Sequence, residues 1–333
     1  MTDEKKNLRS PDPEGIVYTP GVYVPEDHLI PVGMPKPEPV EIDMSGPEVV
    51  DFKVFPKQSI CLSSKANEIL YGGAAGGGKS HLMRIAAVTW AAMIPGLQIF
   101  LFRRIRDDLI KTHLDSVNGF RNMLANWESL GYVKFKSDEA IEFWNGSVIY
   151  LCHLQHQKDL SKYLSVEMHV LLIDELTTFT EKMYRQLRGR LRKVGIEIPE
   201  WLKELIPGIE DMFPRILCSS NPGNIGHHFV KATWIDNYEP LDIHRATPSE
   251  GGMLRQYIPA RVNDNPALLE DDPLYMDRLR GLGSAALVKA MLEGDWNIVE
   301  GAFFDCFSEE RHVVRPFKIP KTWMRFRSMD WGF

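Results

Sequence analysis

Gly73-Ala74-Ala75-Gly76-Gly77-Gly78-Lys79-Ser80 follows the pattern G-x-x-x-x-G-K-[ST], and its reading decides the fold. In such a loop successive backbone N–H groups turn inward around phosphate oxygens, and side chains there would block the approach. Four of the eight residues are glycine, as that geometry demands. Lys79 brings a positive charge to the phosphates, and the Ser80 hydroxyl is placed to ligate Mg²⁺. A helix expected from Lys79 onward, with His81 in its first turn, adds the positive end of its dipole. Gly73 through His81 are therefore the expected nucleotide-binding set.

The flanks supply the context such a loop needs. Glu68-Ile69-Leu70-Tyr71-Gly72 is a short apolar run that ends at the loop, as a strand would. His81 to Ile94, rich in Ala, Leu and Met, predicts a helix. Pro95-Gly96 stops it, and Leu97-Gln98-Ile99-Phe100-Leu101-Phe102 predicts the next buried strand. Further on, residues 132–154 read as strands, with a hairpin around Asn145-Gly146. Val170-Leu171-Leu172-Ile173 and Arg215-Ile216-Leu217-Cys218-Ser219-Ser220 read as strands buried on both faces of a parallel sheet. Helices are expected between them, including Glu181 to Lys193. Strands alternating with helices predict an α/β fold, a P-loop NTPase with a mostly parallel sheet and flanking helices.

The expected boundaries follow composition. Residues 1–51 form a Pro-rich extended arm, since nine of the 22 prolines lie in the first 50 positions. Residues 52–234 form the P-loop core. Residues 235–320 form a small lid or linker subdomain with helices at Leu274 to Leu282 and Ala285 to Glu293; Ser284 is the expected N-cap of the second and Gly294 its stop. Residues 321–333 turn strand-like again, from Trp323 to Trp331. The chain has no internal repeat.

A net charge of −6 excludes a protein that coats nucleic acid with its whole surface, but leaves room for a local basic groove. Cys61, Cys152, Cys218 and Cys306 stand far apart and form no C-x-x-C pair, which fits reduced, buried thiols and neither a disulfide framework nor a zinc site. Ile85 to Phe102 is eighteen residues without a charge, yet Pro95-Gly96 interrupts it directly after the phosphate loop, so a buried helix and strand explain it better than a membrane span. No signal peptide precedes the first apolar run.

The apolar strand ending in Asp174-Glu175 is the expected second half of an ATPase site. Asp174 would hold Mg²⁺, and Glu175 would polarise the attacking water. Gln58, just ahead of the loop's strand, offers an amide that reads an adenine edge or simply meets solvent; both readings stand. Ser219-Ser220-Asn221-Pro222 ends a buried strand, where Ser220 and Asn221 would sense a terminal phosphate or merely form an Asn-Pro turn. Arg103-Arg104, Arg106, and Arg185, Arg188, Arg190 and Arg192 are candidates for stabilising transferred charge, for DNA phosphate contacts, or for a solvated helix face. His227-His228 has no third ligand at a useful spacing and reads as a turn.

The ordered set of Gln58, Gly73 to Ser80, Phe102-Arg103-Arg104, Trp144-Asn145-Gly146-Ser147, Leu172-Ile173-Asp174-Glu175, Ser219-Ser220-Asn221-Pro222-Gly223, Gly294-Asp295-Trp296 and Met329-Asp330-Trp331-Gly332-Phe333 resembles the large subunit of tailed-bacteriophage terminase. The resemblance spans roughly residues 52–333. It implies an additional-strand, RecA-like ATPase that uses ATP and Mg²⁺ to drive double-stranded DNA into a prohead. It also implies a portal protein and a small terminase subunit as partners, a homo-oligomeric ring, and a soluble life in the host cell cytoplasm with no membrane. An RNase H-like nuclease is implied after the ATPase. Asp330 matches its first metal-binding carboxylate, so a nuclease using Mg²⁺ or Mn²⁺ is expected only in a longer parent chain. One departure matters. Some terminases carry an arginine inside the loop, whereas here the variable positions are Ala74, Ala75, Gly76 and Gly77. Another arginine must serve, in cis or from a neighbouring subunit, and Arg104 is the expected one. Two other readings are a different ring ATPase on DNA, such as a helicase, and a non-hydrolysing nucleotide-gated scaffold; the closing Asp330-Trp331-Gly332 pattern weighs against the first and Glu175 against the second.

Overall fold

The computed structural model describes residues 16–18, 52–236, 238–297 and 313–326. Nine strands form one sheet: β1 (Glu68–Gly73), β2 (Gln98–Arg103), β3 (Val133–Lys136), β4 (Ala140–Phe143), β5 (Val148–His153), β6 (Val170–Ile173), β7 (Arg215–Ser220), β8 (Ile243–Arg245) and β9 (Leu254–Ala260). Their spatial order is β8-β9-β1-β7-β6-β2-β5-β4-β3. The central strands β9 to β5 run parallel, and antiparallel strands close both edges. β7 lies between the loop-bearing strand β1 and the acidic strand β6. That interposed strand is the additional strand expected above. Outside this sheet, Ile16–Tyr18 pairs antiparallel with Phe52–Val54.

The period-2 alternation of strands divides the core between two faces. Ile69, Tyr71, Ile99, Leu101, Ile149, Leu172 and Leu217 point to one, while Leu70, Phe100, Phe102, Leu171, Ile173, Ile216 and Cys218 point to the other. Helix α1 (Pro56–Ser63) precedes β1, and helix α2 (Lys79–Met93) follows the loop. α2 is buried at every position from Leu82 to Ala92, as a core helix is, and apart from Arg84 and Thr89 those positions are apolar.

A buried helix end cannot leave its last carbonyls to water, and the β4–β5 hairpin supplies their donors. The Asn145 amide donates to Ala91 O at 2.8 Å and Ala92 O at 3.2 Å, and the Ser147 hydroxyl donates to Ile94 O at 2.8 Å. Asn145 Oδ1 in turn accepts the Ser147 N–H at 3.1 Å. Asn145→Ala strands these carbonyls in the core. We expect it to lower unfolding free energy by about 2 kcal/mol, read as a reduced urea midpoint at unchanged m-value. An unaltered midpoint would show that water replaces the amide.

Three expectations shift. Helix α3 (Glu181–Arg188) stops five residues before Lys193. The chain beyond it pairs instead with Met168: Arg190 O accepts Met168 N–H at 3.1 Å, and Met168 O accepts Arg192 N–H at 2.9 Å. The sheet also reaches past residue 234, because β9 packs beside β1. Its polar Arg255 and Gln256 disguise it, yet both are buried. Finally, Leu274 to Leu282 yields a shorter helix, α5 (Tyr275–Arg280), after α4 (Pro266–Asp271), while α6 (Ala285–Glu293) has the expected limits. Ser284 Oγ accepts the Leu287 N–H at 3.4 Å as its N-cap, and Gly294 ends it in the left-handed conformation.

The chain divides into two compact units, residues 1–299 and 300–333. In the second, the described residues 313–326 contain no strand; a turn there places the Trp323 N–H on Pro320 O at 3.1 Å. Among the described residues no helix is long and apolar enough to cross a membrane. Cys61, Cys152 and Cys218 are free and buried, and Cys306 lies outside the described residues.

Candidate nucleotide site

The loop takes the backbone shape that its glycines permit. Gly73, Gly76 and Gly78 have φ of +123°, +71° and +72°, values that L side chains rarely adopt. Gly78 is the N-cap of α2, so the helix's free N–H groups face the loop's concavity. The loop is braced from outside. Tyr71 donates its hydroxyl to Gly77 O at 3.1 Å, Ala74 N–H donates to Ala260 O at 3.0 Å, and Asn265 Nδ2 donates to Gly76 O at 2.8 Å. Lys79 donates Nζ to Ala74 O. Burial pushes its ammonium down to about 8, against the charges of Asp174 and Glu175 that raise it. His81 sits in the first turn of α2; burial, helped by Arg84, lowers it to about 4, and its Nδ1 has no partner.

Asp174 and Ser80 converge. The Ser80 hydroxyl donates to Asp174 Oδ2 at 3.2 Å, and the Ser219 hydroxyl donates to Oδ1. His113 Nε2 lies 2.9 Å from Oδ2, and Arg103 Nε lies 3.5 Å from it. Burial alone would raise the Asp174 carboxyl, but the His113 hydrogen bond, the Arg103 charge and the Ser219 hydroxyl hold it well below the usual carboxylate range. His113 is fully buried, and that burial lowers its imidazole against the opposing pull of Asp174; facing a carboxylate oxygen, its Nε2 is the donor. A hydroxyl and an ionised carboxylate at one point form an oxygen donor set that suits Mg²⁺.

Glu175 is set apart from its neighbour by backbone shape. It has φ +56°, unusual for a non-glycine, and caps the turn Leu176–Thr178. Its side chain is 44% exposed, against 1% for Asp174, and Oε1 accepts Arg103 Nη2 at 2.7 Å. Arg103 also donates to Asp108 O at 3.0 Å and to Thr112 Oγ1.

The end of β7 faces the same site. Ser220 Oγ accepts the Thr177 N–H at 3.1 Å and meets Thr177 Oγ1 at 2.9 Å, while buried Asn221 Oδ1 has no partner. A Cβ at Gly72 would come within 2.2 Å of Ser220 O, so the glycine ahead of the loop is required by β7.

Arg104, the arginine expected near the phosphates, points elsewhere. Its guanidinium donates to Leu154 O at 2.9 Å and lies 2.7 Å from Met183 Sδ. Strand parity explains this. Phe102 pairs with Ile173, which sets Arg103 beside Asp174 and turns Arg104 to the other face. Gln58 is buried too: Oε1 accepts the Phe55 N–H at 3.0 Å and Nε2 donates to Gly78 O at 3.2 Å. It braces the loop to α1 in this structure. Asp330 lies outside the described residues.

A family model described as phage terminase large subunit matches residues 64–250, more than half of the chain. The chain belongs to the phage terminase large subunit family. Among solved structures, the large terminase of a thermophilic bacteriophage in complex with ATP-γ-S is 18% identical with a TM-score of 0.51, over 80% of this chain and 58% of that one. The same phage protein with ADP is 17% identical with a TM-score of 0.53, over 80% of this chain and 59% of that one. At such identities the likeness shows the terminase fold. This terminase chain spans less than two thirds of the length of those relatives. No curated protein sequence matches it.

His113, Tyr257 and Asn265 carry no signal in the sequence that marks them for the site. His113 lies on a π-helical turn, Ile110–Leu114, for which the sequence has no signature. Arg103 is findable by counting strand parity from the apolar residues of β2. Among the described residues no group of three or more His, Cys, Asp or Glu is placed to hold a metal. His227-His228 does not form the expected turn. It instead opens the short helix His227–Val230.

Proposed function

We propose that this chain is the ATP-hydrolysing motor subunit that drives double-stranded DNA into a viral prohead. The observation that carries the reading is the meeting of Ser80, on the phosphate loop's helix, with Asp174, just past the end of a separate strand, and Glu175 one residue on. Ser80 and Asp174 would hold Mg²⁺, which when bound supplies neutralisation of phosphate charge. Lys79 leaves Ala74 O to meet the phosphates. Glu175 exchanges Arg103 for a water molecule and takes its proton. Asn221, with its unpaired amide oxygen, and Ser220 respond to the terminal phosphate and pass its loss to the following loop. With no arginine in the loop and Arg104 turned away, Arg103, which reaches Asp174 and Glu175, is the arginine in cis at the site; a neighbouring copy in a ring is the other source.

DNA is gripped through its phosphates, so the logarithm of the affinity falls linearly with log salt and affinity is indifferent to sequence. The partners are the portal protein of the prohead, a small terminase subunit and further copies of this chain, in the cytoplasm of the host cell. The test is Mg²⁺-dependent phosphate release from ATP by the chain, alone and with prohead and duplex DNA. Release coupled to DNA uptake without separation of a forked duplex is the expected result. Failure to bind ATP, or unwinding of the fork, overturns the reading.

A further inference from the structure

Gly294-Asp295-Trp296 takes no part in the chemistry above, yet it packs directly on the phosphate loop. A Cβ at Gly294, whose φ is +69°, would come within 2.7 Å of both Ala74 N and Gly73 C. One turn earlier, Met291 O accepts the Ala75 N–H at 2.7 Å. Asp295 holds the turn: Oδ1 accepts the Asn297 N–H at 2.8 Å, and Oδ2 pairs with Lys289 Nζ at 2.8 Å. Buried Trp296 donates its indole N–H to the Tyr257 hydroxyl at 3.2 Å, and that hydroxyl donates to Gly72 O at 3.2 Å. The indole N–H and the tyrosine O–H each donate once and Gly72 O accepts, so the line is directional.

The other side of Trp296 faces a second loop. Its ring centroid lies 5.6 Å from that of buried His227, with 31° between the planes. His227 Nδ1 accepts the Gly223 N–H at 2.9 Å. This loop follows Ser220-Asn221 and is fastened to the turn after Glu175, where Gly226 N–H donates to Thr177 O at 2.7 Å.

We propose that Tyr257 and Trp296 are positioning residues that fix the entry of the phosphate loop and tie it to the 221–227 loop, so that the two loops flanking the phosphates shift together. The proposal rests on the reading of the loop as an ATP site. It is carried by the hydroxyl of Tyr257, the single group through which Trp296 reaches Gly72.

The test compares wild type, Tyr257→Phe, Trp296→Phe and the double variant. Hydrogen exchange of the 70–80 segment is measured without nucleotide, and ATP affinity and turnover are measured on the same samples. In Tyr257→Phe we expect exchange at 72–78 to quicken about fivefold, ATP affinity to weaken about tenfold, and kcat at saturating ATP to change less than about twofold. Exchange in the β4–β5 hairpin should stay constant, which separates a local loosening from general destabilisation. Trp296→Phe keeps the ring on His227 and loses only the N–H, so a smaller effect of the same sign is expected. The double variant should be no worse than Tyr257→Phe alone, since both act through one hydroxyl. Unchanged exchange at 72–78 in Tyr257→Phe, or additive losses in the double variant, overturns the proposal. Because the exchange readout needs no nucleotide, a chain that binds no ATP but shows the expected exchange pattern removes the ATP reading and leaves the contact intact.

Discussion

Glu175→Gln is expected to bind ATP as well as wild type and to hydrolyse it about 10²–10⁴-fold more slowly. The amide keeps the size of the side chain and its reach to Arg103, but it cannot take a proton from water. Asp174, Ser80 and Lys79 stay in place, so the loss belongs to kcat and not to nucleotide affinity. The measurement is phosphate release at saturating ATP under conditions where wild type turns over, beside a binding isotherm for each protein. Normal turnover in Glu175→Gln would refute the assignment of the base. Weakened binding with normal kcat would place Glu175 among the groups that hold the nucleotide.

The largest effect on stability is expected at Glu68, the first residue of β1. It is fully buried, with Arg255 Nε at 2.7 Å from Oε2 and Arg188 Nη1 at 3.2 Å from Oε1, and Tyr184 donates its hydroxyl to Oε1. Burial, with Glu68 next, raises Tyr184 far above its usual range, so that hydroxyl remains a donor. Two guanidinium groups thus depend on one carboxylate away from water. Glu68→Gln removes the carboxylate that both guanidinium groups contact, leaving Glu250 as the other acid near them, and should cost about 3 kcal/mol, a fall in Tm on the order of 10 °C for a unit of this size. Adding Arg255→Met should return part of the loss, because removing both charges of a buried pair costs far less than removing one. A Tm indistinguishable from wild type would mean that water reaches the cluster.

Much of the architecture is legible in the sequence because it rests on local rules. The glycine spacing announces the loop, the apolar runs announce β2, β6 and β7, and Asn145-Gly146 announces the hairpin. The acidic pair follows from an apolar strand ending in two carboxylates. What escapes depends on contacts distant in sequence. β9 carries Arg255 and Gln256 inside the sheet, tolerable only because Glu68 and Ser64 meet them. Helix α3 ends early because Leu191 finds Met168, a partner no window around residue 190 contains. Choosing between Arg103 and Arg104 needs the register of β2 against β6, and His113 needs a π-helical turn to deliver it to Asp174. Gln58 shows the limit from the other direction, since its residue type is noticeable but its two hydrogen bonds, which decide its use, join Phe55 to Gly78.

The clasp of the β4–β5 hairpin on α2 has a mechanical consequence. Gln58 holds the helix at Gly78, Asn145 and Ser147 hold it at Ala91, Ala92 and Ile94, and Arg84 Nη1 ties its middle to Thr112 O at 2.9 Å. Anchored at both ends and at mid-span, α2 is a strut with little freedom to slide along its axis. On the proposed reading, movement that accompanies nucleotide turnover is then expected beyond α2, with the strut and the sheet beneath it as the fixed frame.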